Sequence, residues 1–182
     1  MPRLILLNGP PGCGKSTLAR RYVDDHPLAL NLDIDCVRSL IGRWRDDATT
    51  AGLLARAIAV GAARIHLNAG HDVVIPQFLG RPTFIEQVER LAHDVGAQFH
   101  DIVLLDSKQN AIRRFHERSS TSSDPAHRQA QDMVDRWGGA DALSAMYDNL
   151  LAVVASRPNA RVISTTSGQI DQAYQRVLDS LA

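Results

Sequence analysis

The 182-residue sequence predicts an α/β fold built on a mainly parallel sheet, and three observations carry that prediction. Short apolar runs alternate with longer stretches of helical periodicity along the chain, the pattern of strand–helix–strand units. The first apolar run passes into a helical stretch through a glycine-rich turn, Gly9-Pro10-Pro11-Gly12-Cys13-Gly14-Lys15-Ser16-Thr17. Gly70 and Gly96 each close a helical stretch just before an apolar run, the place for a left-handed residue that ends a helix.

The apolar runs read as strands at Arg3–Asn8, Leu28–Asp33, Asp72–Pro76, Phe99–Leu105 and Arg161–Thr165, each rich in Val, Ile or Leu. Helical periodicity marks Ser16–Asp25, Cys36–Gly42, Thr50–Ala69, Pro82–Val95 and Ser107–Arg118. Two further stretches, Gln129–Trp137 and Ala140–Ala155, precede the last strand, and Gln169–Leu181 closes the chain. No internal repeat is present. The one biased segment, Ser119-Ser120-Thr121-Ser122-Ser123-Asp124-Pro125, reads as a polar loop after a helix, within a lid spanning residues 113–128.

Length suits one domain, 1–182, with a sizeable core. Twenty basic side chains balance twenty acidic ones, so no general attraction draws the chain to nucleic acid or to an acidic membrane, although a local patch stays open. The two cysteines, Cys13 and Cys36, lack paired metal-ligand spacing and fit a reducing compartment. No leader segment is visible, and no apolar run approaches the length of a membrane span. The expectation is a soluble, cytoplasmic protein.

Residues 9–17 fit the phosphate-binding pattern G-x-x-x-x-G-K-[ST] in the context it needs, with a buried strand before it and a helix after it. Glycines Gly9, Gly12 and Gly14 let backbone N–H groups, including that of Cys13, turn inward on a phosphate. Lys15 can reach the β- and γ-phosphates, Ser16 can hold magnesium, and the N-terminal end of the helix carrying Ser16 and Thr17 favours the same anion. The chain has only two lysines, Lys15 and Lys108, so one of two falls where the pattern demands it. The expected cofactors are ATP and Mg2+.

A second polar cluster follows the second strand, in Asn31-Leu32-Asp33-Ile34-Asp35-Cys36-Val37-Arg38. If the strand persists that far, Asp33 and Asp35 share a face. Ligands of open parallel sheets bind beyond the carboxyl ends of the strands, so this acidic pair would face the phosphate loop. A carboxylate there could orient or deprotonate an attacking hydroxyl, and Arg38 could steady the moving phosphoryl group. The plainer alternative is that Asp35 caps a short helix and pairs with Arg38 three residues on.

On these residues the N-terminal forty positions resemble the kinase domain of polynucleotide 5′-kinases, whose phosphate loop is followed by a strand ending in D-x-x-R. The same layout is similar to chloramphenicol phosphotransferases and zeta-toxin-like kinases. The looser similarity continues through Gly70-His71-Asp72-Val73-Val74-Ile75, Phe78-Leu79-Gly80 and the closing Val162-Ile163-Ser164-Thr165-Thr166-Ser167-Gly168. The resemblance implies a P-loop NTPase fold, three-layer α/β/α, with a five-stranded parallel sheet in the order 2-3-1-4-5. It implies Lys15 and Ser16 at the phosphates and magnesium, Asp35 as hydroxyl-activating base, and Arg38 as its electrostatic partner. These relatives often carry an acid just past the third strand. Here Pro76-Gln77 stands instead, making Gln77 an uncharged candidate substrate contact beside Asp33, Asp35 and Arg38.

Ile102-Val103-Leu104-Leu105-Asp106 would pass for the metal-binding strand of a switch ATPase, but no Glu follows Asp106. The expectation is that Asp106 starts the helix leading into the lid. That helix presents Arg113, Arg114 and Arg118, with Arg128 beyond. Arg114 and Arg118 are the candidates to neutralise the transferring phosphoryl. The histidines have no metal-ligand spacing, and Trp44 and Trp137 read as packing or pocket-wall residues. The leading expectation is an ATP-dependent kinase acting on a hydroxyl of a small molecule, such as a nucleoside-like metabolite or an antibiotic. Polynucleotide 5′-hydroxyl kinase, a zeta-toxin-like kinase and a non-kinase ATPase regulator are the alternatives. Sequence leaves the acceptor and the oligomeric state open.

Overall fold

Strand β1 (Arg3–Asn8) is apolar at every interior position, and all four of Leu4, Ile5, Leu6 and Leu7 are buried. A strand buried on both faces must be central, and β1 pairs in parallel with β3 (Val73–Pro76) on one side and β4 (Gln98–Leu105) on the other. The edges are β2 (Leu30–Asn31) and β5 (Arg161–Ser164), so the sheet is parallel with order 2-3-1-4-5, as the resemblance implies. The structure is a computed structural model that describes residues 1–121, 131, 134–135, 138–166 and 168–182, without the side chains of 118–121.

Strand alternation splits the core in two. Leu4 and Leu6 pack with α2 (Ile34–Ser39), α3 (Ala48–Asn68) and α4 (Thr83–Asp94). Ile5 and Leu7 face α1 (Lys15–Asp25) and α7 (Ile170–Leu181). The result is a three-layer α/β/α sandwich. Phe115 of α5 (Lys108–Thr121) and Leu143 of α6 (Ala140–Ser156) form a smaller cluster with Val134, which lies between the two helices in the chain. Helix α3 approaches the sheet through Ala51, Ala55, Ala59 and Ala63, a stripe of small side chains at every fourth position that permits close packing. Among the described residues it is the one helix long and apolar enough, by length and composition, to cross a membrane. Here its alanine stripe is packed on the protein core.

Two elements differ from the sequence reading. The second strand was expected over Leu28–Asp33 but pairs only at Leu30–Asn31, with Leu28 in the left-handed region at φ 64°. The chain then leaves the sheet because Asp33 caps α2, its Oδ1 accepting from the N–H groups of Asp35 (2.9 Å) and Cys36 (3.4 Å). A side chain that supplies these bonds draws the backbone from strand into helix. The expectation that Asp33 and Asp35 share a strand face is therefore corrected: Asp33 is the cap and Asp35 lies in the first helical turn. Helix α5 also continues through Ser119, Ser120 and Thr121, which were expected in a loop. Most of the expected Gln129–Trp137 helix and the rest of the serine-rich segment lie outside the described residues.

Candidate active site

The phosphate loop is held at its root by Asn8, the last residue of β1 and fully buried. Its Oδ1 accepts from the N–H groups of Gly9 and Leu79, both at 2.8 Å, and its Nδ2 donates to the Leu79 carbonyl at 3.1 Å. One side chain thus clasps the start of the loop to the segment after β3. Asn8 escaped the sequence reading, although a polar residue ending an otherwise apolar central strand was the available signal.

Gly9 is required by space as well as conformation. At φ 154°, a Cβ there would stand 2.5 Å from the Leu104 carbonyl oxygen and 2.7 Å from Cys13 Sγ. At Gly12 (φ 82°), a Cβ would meet the Phe115 backbone nitrogen at 3.2 Å, so the loop rests directly on α5. Gly14 caps α1 in a left-handed conformation, leaving the free N–H groups of the first turn, at Lys15, Ser16 and Thr17, at the mouth of the loop. Lys15 folds back over the loop, its Nζ donating to the carbonyls of Gly9 (2.8 Å) and Pro10 (2.9 Å) and lying 3.8 Å from Cys13 Sγ. Cys13 itself is buried in the core with Ile5 and Leu7, so its backbone belongs to the loop while its thiol packs inward. Ser16 is half-buried and Thr17 exposed.

One strand removed from the loop, across β3, the chain leaves β2 into α2. Burial pushes the Asp33 carboxyl up from its ordinary value, and the neighbouring Asp35 charge adds to this. The N–H groups of Cys36 and Asp35 and the charge of Lys15 oppose it. Because β2, β3 and β1 are parallel neighbours, the start of α2 and the phosphate loop both lie beyond the carboxyl ends of the sheet's strands. Asp35 is exposed and forms an ion pair with Arg38 at 3.1 Å. Arg38 is half-buried, with its guanidinium 4.6 Å from the Trp44 ring centre, so it is held between an acid and an aromatic face. Trp44 is a wall of this corner, and Arg45 lies over the same ring at 4.7 Å.

Gln77 follows β3, its N–H donating to the Leu7 carbonyl at 3.1 Å. Among the described residues its buried Oε1 has no hydrogen-bond partner, and neither has Arg38 Nε. Buried polar atoms left unpaired cost free energy, and a ligand that pairs them recovers it. Both orphaned atoms belong to residues that sequence nominated for the acceptor.

On the other side of the loop, Asp106 stands just before α5. Its Oδ1 accepts from Ser107 N–H (2.6 Å) and Asn110 Nδ2 (3.0 Å), while Ser107 caps α5 by accepting from Asn110 N–H at 3.3 Å. Arg114 lies 2.7 Å from Asp106 Oδ2, with both side chains largely buried, and reaches the Thr165 carbonyl at 3.4 Å. The structure therefore brings Arg114 beside the phosphate loop already paired with an acid. Arg113 points outward to Glu117 at 2.8 Å. The side chains of Arg118 and Arg128 lie outside the described residues. Among the described residues, no group of three or more His, Cys, Asp or Glu side chains is arranged to hold a metal.

The model of one protein family, described as AAA domain, matches residues 4–137, which span β1, the phosphate loop, the acidic corner and α5. The chain belongs to the AAA domain family. Among curated proteins, two late blight resistance protein homologs of Solanum demissum are each 28% identical over 147 residues, 74% of this chain and 11% of theirs. The chain thus spans about a tenth of the length of these relatives. Among the many solved structures whose fold this AAA domain chain shares, three illustrate the likeness. A gluconokinase from Sinorhizobium meliloti aligns with a TM-score of 0.61 at 14% identity, covering 99% of this chain and 95% of that one. The tunicamycin resistance protein of Deinococcus radiodurans gives 0.63 at 11%, covering 100% and 96%. The APS kinase of Mycobacterium tuberculosis gives 0.55 at 16%, covering 99% and 96%. At such identities the likeness is one of fold.

Proposed function

We propose that this chain is an ATP-dependent phosphotransferase that moves the γ-phosphoryl group to a hydroxyl of a small molecule. One observation carries the reading. The parallel order β2-β3-β1 sets the Asp35–Arg38 ion pair, Gln77 with its buried, unpaired Oε1 and the Lys15 loop beyond the carboxyl ends of adjacent strands.

In this reading the loop amides and Lys15 take the β- and γ-phosphates, and Lys15 exchanges its Gly9 and Pro10 carbonyls for phosphate oxygens. The Ser16 hydroxyl, on the first turn of α1, fits a magnesium ion that arrives with the nucleotide, since such ions are held by few protein oxygens plus substrate phosphates. When bound, magnesium supplies charge neutralisation at those phosphates. Asp35, which is exposed, orients and deprotonates the acceptor hydroxyl, and Arg38 steadies the charge that moves with the phosphoryl group. Asp33 and Gln77 contact the acceptor. Arg114 joins the transfer only by leaving Asp106, so its role is tied to lid movement. The names of the fold neighbours, a gluconokinase and an APS kinase, fit a small-molecule acceptor.

The capping bonds and ion pair of Asp106 favour this reading over a switch ATPase, in which that acid would be free for metal. The test is transfer from γ-labelled ATP to a panel of sugars, nucleosides, hydroxylated antibiotics and 5′-hydroxyl oligonucleotides. Label on a small molecule supports the proposal, and label on oligonucleotides alone replaces it with a polynucleotide kinase. ATP hydrolysis that no acceptor diverts would overturn it.

A further inference from the structure

Asp35 alone does not fix the Arg38 guanidinium. Among the described residues that group has two partners, Asp35 at 3.1 Å and the Trp44 ring at 4.6 Å to its centre. Asp35 is 58% exposed, and an ion pair to so open an acid, screened by water and salt, restrains a long side chain weakly. Yet the Arg38 side chain is only 20% exposed, and its buried Nε has no hydrogen-bond partner. The indole is the contact that confines it. A cation over a ring face is drawn by the ring quadrupole, most strongly where water is displaced.

The backbone carries the ring to the guanidinium. The Ile41 N–H donates to the Arg38 carbonyl at 3.1 Å, and the Trp44 N–H donates to the Ile41 carbonyl at 3.3 Å. Two successive bonds to the third residue back advance the chain in steps of three, the spacing at which side chains fall one above another. Beyond Trp44 the loop is tied down. The Asp46 N–H donates to the Arg43 carbonyl at 2.9 Å, and Arg43 Nε donates to Asp46 Oδ2 at 2.7 Å. Arg43 stands in the left-handed region at φ 52°, which a residue with a side chain keeps only where its surroundings hold it. Asp47 then caps α3, accepting from the Thr50 N–H at 3.0 Å. Arg45 lies on the same indole at 4.7 Å, so two cations already engage the ring and leave it a poor platform for a ring of the acceptor.

We infer that Trp44 is a positioning residue for phosphoryl transfer, holding the Arg38 guanidinium beside Asp35. The inference rests on the kinase reading, because Trp44 acts only through Arg38. Trp44→Leu removes the ring and keeps an apolar side chain. With γ-labelled ATP and the panel member that takes the label, kcat should fall about 5- to 30-fold, the worth of a part-buried cation–π contact. The KM for that acceptor and the affinity for ATP should stay unchanged, as expected for an interaction used in the transition state. Trp44→Phe restores a ring and should recover most of the loss. A raised acceptor KM with unchanged kcat would make Trp44 a wall for the acceptor and overturn the inference, as would equal losses in the two variants. Arg38→Ala separates this failure from that of the kinase reading. Full transfer by Arg38→Ala removes Arg38 from the reaction and the inference with it. Lost transfer by Arg38→Ala beside full transfer by Trp44→Leu overturns the inference alone. If no panel member takes label, the kinase reading and the inference fall together. A Trp137→Phe background leaves Trp44 as the sole indole. There Arg38→Ala should open Trp44 to acrylamide quenching, and unchanged quenching overturns the contact whatever the transfer assay shows.

Discussion

Truncation of Asn8 tests how the phosphate loop is anchored. Asn8→Ala removes the acceptor for two buried N–H groups, those of Gly9 and Leu79, and the donor for the Leu79 carbonyl. A buried polar group that loses its partner costs about 1–3 kcal/mol, and three such groups sharing one small space do not add fully, so the expected loss is about 3–5 kcal/mol. Urea unfolding followed by circular dichroism should show a lower midpoint with an unchanged slope, since the surface exposed on unfolding stays the same. Asn159→Ala, at an exposed turn, should stay within about 0.5 kcal/mol of wild type. ATP affinity should fall with the first substitution and not the second, because Gly9 loses its clasp to Leu79. A loss below about 1 kcal/mol for Asn8→Ala, with full ATP affinity, would refute the anchoring argument.

Two further outcomes follow from buried acids. Asp33 is raised by burial and by Asp35, so the folded chain holds its proton more tightly than the unfolded chain. Wild-type stability contributed by this group is then complete below the ordinary carboxylate value and lost as pH rises through the raised one. Asp33→Asn keeps a good cap and lacks that loss. Its urea midpoint should rise relative to wild type as pH climbs from about 3 to about 7, and a relative fall would contradict the assignment. Arg157 donates from Nε to Asp101 at 2.6 Å and pairs with Glu89 at 2.8 Å, while burial raises the Asp101 carboxyl. Arg157→Ala strands that acid and should cost about 3–5 kcal/mol at neutral pH. The loss should shrink in acid, where Asp101 takes a proton; a pH-independent loss would show that packing, not charge, is at stake.

What the sequence made legible is what local chemistry decides. The phosphate loop, the five strands and the closing glycines Gly70 and Gly96, at φ 89° and 67°, follow from glycine placement and apolar periodicity, and these survive packing. The edge strand β2 was overread because Leu28 and Asp33 look like strand ends until a left-handed turn and a capping side chain take them. Asp33 was consequently read as a strand-face acid, whereas the fold uses its side chain to cap α2. The pairing of Asp35 with Arg38 was readable from their spacing. The stacking of Arg38 on Trp44 was not, since it depends on the irregular loop before α3. Arg114 stood out in sequence as a lid charge, but its partner Asp106 lies across the helix start, a closure that only the folded turn supplies.

The central claim is that Asp35 activates an acceptor hydroxyl. Asp35→Asn preserves size, lies on an exposed turn and leaves the capping bonds of Asp33 in place, so the fold and ATP affinity should hold. Phosphoryl transfer to an acceptor found in the labelled-ATP panel should fall by ~10²-fold or more, the usual loss on removing a general base. Asp106→Asn, measured beside it, should affect stability more than transfer, because Asp106 serves the start of α5 and Arg114. Near-normal transfer by Asp35→Asn together with collapse in Asp106→Asn would contradict the account and make the chain a switch ATPase.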